Sequence, residues 1–149
     1  MEKVYIPICG ASEAKRAIQK GIEFAKRFDL EVVVINVLDQ ESINKLQRYK
    51  IFIDEESAHF TDSLKRDAEK YLHYAEKIAE QAGIGIHKVL LEGDPFSEIS
   101  EYIKNDAAEH CYVCIAKRHE AVNCRDIFGV VEKKLLSQTD FDLIIAGEK

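Results

Sequence analysis

The feature that most constrains the fold is a continuous β-branched run from Val32 to Ile35. A strand without polar alternation is buried on both faces, which is typical of a parallel sheet covered by helices. Further short apolar runs occupy 4–8, 86–91, 112–116 and 143–146, and segments with helical apolar spacing separate them. Strands that alternate with helices predict parallel pairing through right-handed crossovers. We therefore expect an α/β fold with an open five-stranded sheet.

Several local signals locate the helices between these strands. Small residues at Ala17, Gly21 and Ala25 predict that the first helix lies close against the sheet. Apolar residues at helical spacing over 57–81 predict the longest helix. Asp94 and Pro95 are typical of a helix start, because aspartate caps the first turn and proline fits its first position.

Size and charge exclude several classes of function. The 149 residues suit one domain over 1–149. The net charge of -6 argues against nucleic acid and anionic membranes as partners. No apolar run approaches the length of a membrane span, and the first strand begins without a separate leader. We therefore expect a cytoplasmic protein.

The loops after strands one and four are the candidate ligand site. In open parallel sheets, ligands bind at the carboxyl ends of strands where the strand order reverses. The loop over 116–126 carries basic side chains at Lys117, Arg118, His119 and Arg125. These side chains either hold an anionic ligand or form a solvated loop beside their acidic neighbours.

Three segments in order resemble the universal stress protein family, and the resemblance covers essentially the whole chain. The first is the opening strand and turn over 4–12, and the second is the Gly-Asp-Pro turn at 93–95. The third follows the family's phosphate motif, which is Gly, two residues, Gly, nine residues, Gly, then Ser or Thr. Its positions are Ala116, His119, Gly129 and Val130 here.

The resemblance implies a fold and a role. The fold is an open parallel sheet of order 3-2-1-4-5 with helices on both faces, as in adenine nucleotide alpha hydrolase-like proteins. Homodimers commonly form through the last strand, which is Phe141–Ala146 here. Some members bind ATP or another adenine nucleotide, and others bind none. The role is stress resistance, usually without an established reaction.

The resemblance also implies a nucleotide site, although several of its residues depart from the family pattern. The site residues would be Ile8, Cys9, Gly10, Val37, Gly93, Ala116, Lys117, Arg118, His119, Gly129 and Val130. Cys9 stands where the family has an acidic residue, and Ala116 and His119 replace glycines that let amides approach phosphate. Val130 replaces the hydroxyl residue, whereas Gly129 is kept and is expected just inside the fourth helix.

We interpret the chain as a stress-response homodimer without enzymatic activity, tight ATP binding or a metal site. One alternative is an adenine-nucleotide (ATP or AMP) binder that uses an altered cradle with Lys117 and Arg118. A second alternative is a thiol or metal sensor at Cys9 and Cys124.

The Cys111-x-x-Cys114 pair is a separate candidate for redox or metal chemistry. Redox pairs usually open a helix, where the helix dipole lowers a thiol pKa. Residues three apart on a strand point to opposite faces. We therefore expect Cys111 and Cys114 to be buried free cysteines.

Overall fold

The computed structural model describes residues 2–8, 11–39, 54–106, 110–118 and 128–147. These residues form five strands and four helices in strict alternation. The strands are β1 (Glu2–Ile8), β2 (Glu31–Leu38), β3 (Ile86–Glu92), β4 (His110–Ala116) and β5 (Asp142–Ala146). The helices are α1 (Ala11–Phe28), α2 (Asp54–Ala82), α3 (Pro95–Asn105) and α4 (Val130–Gln138). The predicted order of elements is confirmed.

All five strands are parallel and form one sheet in the order β3-β2-β1-β4-β5. This is the expected 3-2-1-4-5 order. In the register, Val4 lies opposite Val32 on one side and Tyr112 on the other. The strand order reverses between β1 and β4, so the carboxyl ends of these two strands frame the crevice.

The β-branched run of β2 is buried from both sides, as predicted. Val32 and Val34 pack in a layer with α1 and α2. Val33 and Ile35 pack in the opposite layer with α3 and α4. Because successive side chains of a strand alternate between faces, one apolar run supplies both halves of the core.

Helix α1 packs directly on the centre of the sheet. Ala17 and Ala25 are 3% and 1% exposed. A Cβ on Gly21 would lie only 2.5 Å from Cδ1 of Ile6, so this position has no room for a side chain. The small residues therefore set the helix–sheet distance, which confirms the prediction.

Helix α3 starts as the sequence predicts. The carboxylate of Asp94 accepts a hydrogen bond of 3.0 Å from the backbone N–H of Ser97, and Pro95 is the first helical residue. This bond lowers the pKa of Asp94, because it favours the charged carboxylate. Within the described part of the chain, no helix combines the length and apolarity needed to cross a bilayer.

Candidate functional site

A narrow crevice lies at the carboxyl edge of the sheet, between β1, β4, α1 and α4. Its lining residues are Pro7, Glu13, Ala14, Ala17, Ile115, Ala116 and Glu132. The space that these residues enclose is about 10 Å³, which is enough for about one water molecule. The base of the crevice is therefore closely packed.

The predicted site residues that can be placed lie along this edge or beside it. They are Ile8, Val37, Gly93, Ala116, Lys117, Arg118, Gly129 and Val130. Cys9, Gly10 and His119 lie outside the described residues, as do Cys124 and Arg125. Ile8 packs against the α1/α2 layer, and Val37 packs against the opposite layer.

Gly93 connects the loop after β3 to the end of β2. Its N–H donates a hydrogen bond of 3.0 Å to the carbonyl of Leu38. Its φ of 140° lies in the region that favours glycine, and a Cβ would lie 2.7 Å from Oε1 of Glu98. Gly93 is therefore required by the backbone of this turn.

The loop after β4 begins in a buried position and is held by an arginine of α1. Ala116 is 3% exposed, and the N–H of Lys117 donates to the carbonyl of Ala146 at 3.2 Å. The guanidinium of Arg16 donates to the carbonyl of Lys117 and, at 3.2 Å, to that of Gly147. Arg16 thus joins the chain segments that leave β4 and β5, a role that the sequence did not indicate.

Helix α4 begins at Val130, one residue later than the sequence predicts. Gly129 has an extended backbone (φ -72°, ψ 179°), and its carbonyl accepts the first helical hydrogen bond, from the N–H of Lys133 at 3.0 Å. This is the geometry of an N-cap, so the prediction that Gly129 lies inside the helix is wrong by one position. Val130 is the first helical residue and is 69% exposed.

A buried carboxylate, that of Glu132, lies at the N-terminus of α4. Glu132 is 6% exposed, and its Oε2 lies 2.6 Å from the point that a Cβ on Gly129 would occupy. Nη2 of Arg118 lies 3.3 Å from the same point. The side chain of Glu132 therefore folds back toward the N-cap residue three positions earlier.

Burial raises the pKa of Glu132, because it disfavours the charged carboxylate. A hydrogen bond from its own backbone N–H opposes this rise, the charge of Glu13 adds to it, and Arg118 lowers the pKa again. No prediction from the sequence included Glu132. A glutamate three residues after an N-cap is a known helix-start pattern and would have been the signal.

Cys111 and Cys114 lie on opposite faces of β4, as predicted. Cys114 belongs to the α1/α2 layer, and its thiol donates to the carbonyl of Ala17 at 3.4 Å. Cys111 packs against the other layer but is only half-buried, so the prediction of burial is correct for Cys114 and wrong for Cys111. Burial raises the pKa of Cys114 to about 12 and also raises that of Cys111, so both are protonated thiols at neutral pH.

The described residues do not form a metal centre. No group of three or more His, Cys, Asp or Glu side chains within them is close enough to hold an ion. The alternative site at Cys9 and Cys124 lies outside these residues. The geometry that can be described is therefore that of a closely packed edge crevice lined by the acids Glu13 and Glu132. Arg118 lies beside Gly129, and Lys117 is exposed at the end of β4.

Comparison with known proteins agrees with this architecture. A putative universal stress protein of Staphylococcus saprophyticus is 26% identical over 145 residues, which are 97% of this chain and 82% of that protein. A universal stress protein of Archaeoglobus fulgidus superposes with a TM-score of 0.69 at 17% identity, covering 97% of this chain and 98% of the other. A family protein of Arabidopsis thaliana with AMP bound gives a TM-score of 0.66 at 15% identity, covering 100% and 93%.

The chain also matches a protein family as a whole. The model of the universal stress protein family matches residues 1–147. The match includes all nine described helices and strands, and the sheet order is the one that the resemblance implied. This chain belongs to the universal stress protein family.

Proposed function

We propose that this chain is a cytoplasmic, non-enzymatic stress-response protein that forms a homodimer and does not bind ATP tightly. The observation that carries the proposal is the start of α4. The family motif calls for a hydroxyl residue there, and this chain has the exposed apolar side chain of Val130. The buried carboxylate of Glu132 lies against Gly129, the one motif glycine that is kept.

The positions around α4 also disfavour a triphosphate. Phosphates bind where several backbone N–H groups converge without obstruction. Ala116 replaces the first motif glycine and is packed into the core beneath this edge. Because Val130 cannot donate a hydrogen bond through its side chain, the described part of the motif offers fewer donors than the family pattern.

The second candidate function is adenine-nucleotide binding through an altered cradle. Two observations favour it. The family protein of Arabidopsis thaliana holds AMP on the same fold. Lys117 and Arg118 are both exposed just after β4. Their cationic side chains can form charge-assisted hydrogen bonds with a phosphate group. Under this alternative, AMP would stabilise the protein against heat, and replacing Lys117 and Arg118 by alanine would abolish the stabilisation.

The third candidate, a thiol or metal sensor, would use Cys9 and Cys124. Cationic side chains make a neighbouring thiol more reactive, and Cys124 is followed by Arg125 in the sequence. Titration of the reactive thiols and elemental analysis of the purified protein separate this candidate from the other two. Ordinary thiol pKa values and a metal-free protein would exclude it.

The proposed dimer interface is the outer edge of β5, with which no other described strand pairs. Strand β5 pairs with β4 on one side and is the last strand in the sheet order. Ile145 is 40% exposed on this strand, and Leu136 of α4 is 40% exposed as well. An apolar edge strand is a template for pairing with another strand, and a two-fold axis lets two copies of β5 satisfy one another.

Native mass spectrometry of the purified full-length protein tests both halves of the proposal. We expect twice the chain mass of 17.0 kDa without a retained nucleotide. Replacing Ile145 by lysine should convert the dimer to a monomer, because a charged side chain would be forced into the apolar edge contact.

Leu90→Lys is the matched control for this variant. Leu90 is 38% exposed and lies on β3, at the opposite edge of the sheet. The control should stay dimeric. A monomeric wild type, or an Ile145→Lys variant that remains dimeric, would contradict the proposed interface. A retained ATP or AMP mass would contradict the absence of tight nucleotide binding.

A further inference from the structure

We propose that the outer face of α1, toward its C-terminal end, is a docking site for an acidic peptide segment of another protein. The site is a groove lined by Lys20, Glu23, Phe24 and Arg27, here called the α1 groove, with the exposed ring of Phe28 beside it. It would hold one apolar side chain of the partner between carboxylates. The site is distinct from the crevice at the carboxyl edge, and it does not depend on whether the chain binds a nucleotide.

Aromatic side chains form the apolar part of this surface. The ring centroids of Phe28 and Phe24 are 4.6 Å apart, and those of Phe24 and Tyr112 are 5.3 Å apart. The ring of His110 lies 4.8 Å beyond Tyr112. Phe24 and Tyr112 are half-buried, whereas Phe28 is 56% exposed. Rings that already contact one another lose little side-chain freedom when a partner covers them, which favours binding.

The α1 groove has room for one side chain. Lys20, Glu23, Phe24 and Arg27 enclose about 160 Å³, and a cavity of about 150 Å³ holds a benzene ring. The side chains of Lys20 and Arg27 are 45% and 70% exposed. Long cationic side chains place their alkyl stems along apolar surface and keep their charges in water. The groove therefore offers an apolar floor with cations at its rim.

The charges at the α1 groove favour an acidic partner. Nζ of Lys20 and Nη2 of Arg27 each lie 3.6 Å from a carboxylate oxygen of Glu23. Two cations thus share one carboxylate, and a second carboxylate from a partner would complete an alternating set. At the far end of the aromatic rings, Nε2 of His110 lies 3.1 Å from Oδ2 of Asp142. The excess positive charge therefore lies at the groove itself.

The composition of α1 as a whole gives the same sign. The helix has five cations and two acids, and therefore a net charge of +3. The complete chain has a net charge of -6. A positive helix on an acidic protein attracts acidic ligands to this one face and steers them away from the rest of the surface.

A second copy of this chain fits the α1 groove poorly. A two-fold contact would bring the groove against itself, so that Lys20 and Arg27 of both copies would meet. Like charges that meet across an interface disfavour the contact. A head-to-tail contact with an acidic part of the next copy would build rings or filaments, and not the proposed dimer. These arguments favour a different protein as the partner.

The test begins with a phage library of random dodecapeptides. Peptides that bind the double variant Lys20→Gln/Arg27→Gln are removed first, and the remaining peptides are selected on the wild type. We expect the selected peptides to be net acidic and to contain an aromatic or large aliphatic residue, because the groove places cations around an apolar floor. The most frequent selected peptide is then synthesised with a fluorescein label.

Fluorescence anisotropy measures the affinity of this labelled peptide for four proteins. They are the wild type, Phe28→Ser, Lys20→Gln/Arg27→Gln and the control Lys70→Gln/Lys77→Gln, which removes two charges at the same spacing from exposed positions of α2. We expect both groove variants to bind at least about tenfold more weakly than the wild type. The control should stay within about twofold. The affinity of the wild type should fall when NaCl rises from about 50 mM to about 300 mM.

Circular dichroism and native mass spectrometry verify the fold and the oligomeric mass of each variant. The double variant leaves the aromatic rings intact, so it answers the question even if Phe28→Ser unfolds at a lower temperature. An oligomeric mass of Phe28→Ser that differs from that of the wild type would overturn the inference, because a second copy would then occupy the groove.

Three further results would overturn the inference. The first is that no peptide remains after the double variant has been used for removal. The second is that the selected peptides are neutral or basic. The third is that the α2 control loses as much affinity as Lys20→Gln/Arg27→Gln. The proposed function is judged separately, on the mass and the nucleotide content of the wild type, so either proposal can fail without the other.

Discussion

Replacing Gly21 by leucine is expected to lower the free energy of unfolding by about 3 kcal/mol, the upper part of the range for overpacked cores. A Cβ at this position would lie 2.5 Å from Cδ1 and 2.7 Å from Cγ1 of Ile6, and 3.5 Å from Cβ of Cys114. Ile6 and Cys114 are both fully buried, so neither can move aside without displacing its neighbours. Urea unfolding followed by circular dichroism measures the effect.

Leucine is used because it is a good helix former, which separates the packing clash from helix propensity. The matched control is Gly85→Leu, since a Cβ on Gly85 would meet nothing within 4 Å. The control should stay within about 0.5 kcal/mol of the wild type, as surface substitutions usually do. Equal stability of Gly21→Leu and Gly85→Leu would contradict the close packing of α1 on the sheet.

Replacing Asp106 by alanine is expected to lower the free energy of unfolding by about 2 to 3 kcal/mol, because it leaves a buried hydroxyl without its acceptor. The hydroxyl of Tyr5 donates to Oδ2 of Asp106 at 2.6 Å, and Nζ of Lys3 donates to the same oxygen at 2.9 Å. Tyr5 is fully buried. These hydrogen bonds connect Asp106, the C-cap of α3, to the central strand β1.

The contribution of Asp106 to the stability of the fold should depend on pH. Burial raises the pKa of Asp106, but the hydrogen bonds from Tyr5 and Lys3 outweigh burial, and the pKa lies below its ordinary 3.8. A lowered pKa means that the stabilisation is fully present above pH 3.8 and is lost as the pH falls through the lowered value. The difference in the free energy of unfolding between the wild type and Asp106→Ala should therefore decrease only in strongly acidic solution.

Asp67→Ala is the control for this variant, because Asp67 is exposed on α2. It should unfold at nearly the same urea concentration as the wild type. The role assigned to the hydrogen bonds of Asp106 with Tyr5 and Lys3 would be contradicted if, at pH 7, Asp106→Ala lowered the free energy of unfolding no more than Asp67→Ala does.

The main features of the fold were predictable because they depend on local patterns. The run from Val32 to Ile35 predicted burial on both faces, and its residues do divide between the two core layers. The spacing of Ala17, Gly21 and Ala25 predicted the close approach of α1. In each case the signal lies within one element, where periodicity reports directly on burial.

The candidate site was less predictable because its contacts join distant parts of the chain. Arg16 reaches the carbonyls of Lys117 and Gly147, which are 101 and 131 residues away. The sequence places Glu132 three residues after Gly129, but nothing in the sequence indicates that its carboxylate is buried. A surface position is the ordinary expectation for a glutamate, so the burial of Glu132 is visible only in the tertiary packing.

The central proposal is that this chain keeps the fold of its nucleotide-binding relatives but does not bind ATP tightly. Calorimetric titration of the purified protein with ATP and magnesium at pH 7.5 tests it most directly. We expect no saturable binding up to about 100 μM ATP, about a hundred times the Kd of a micromolar binder. Saturable binding with a Kd of about 1 μM or lower would contradict the claim.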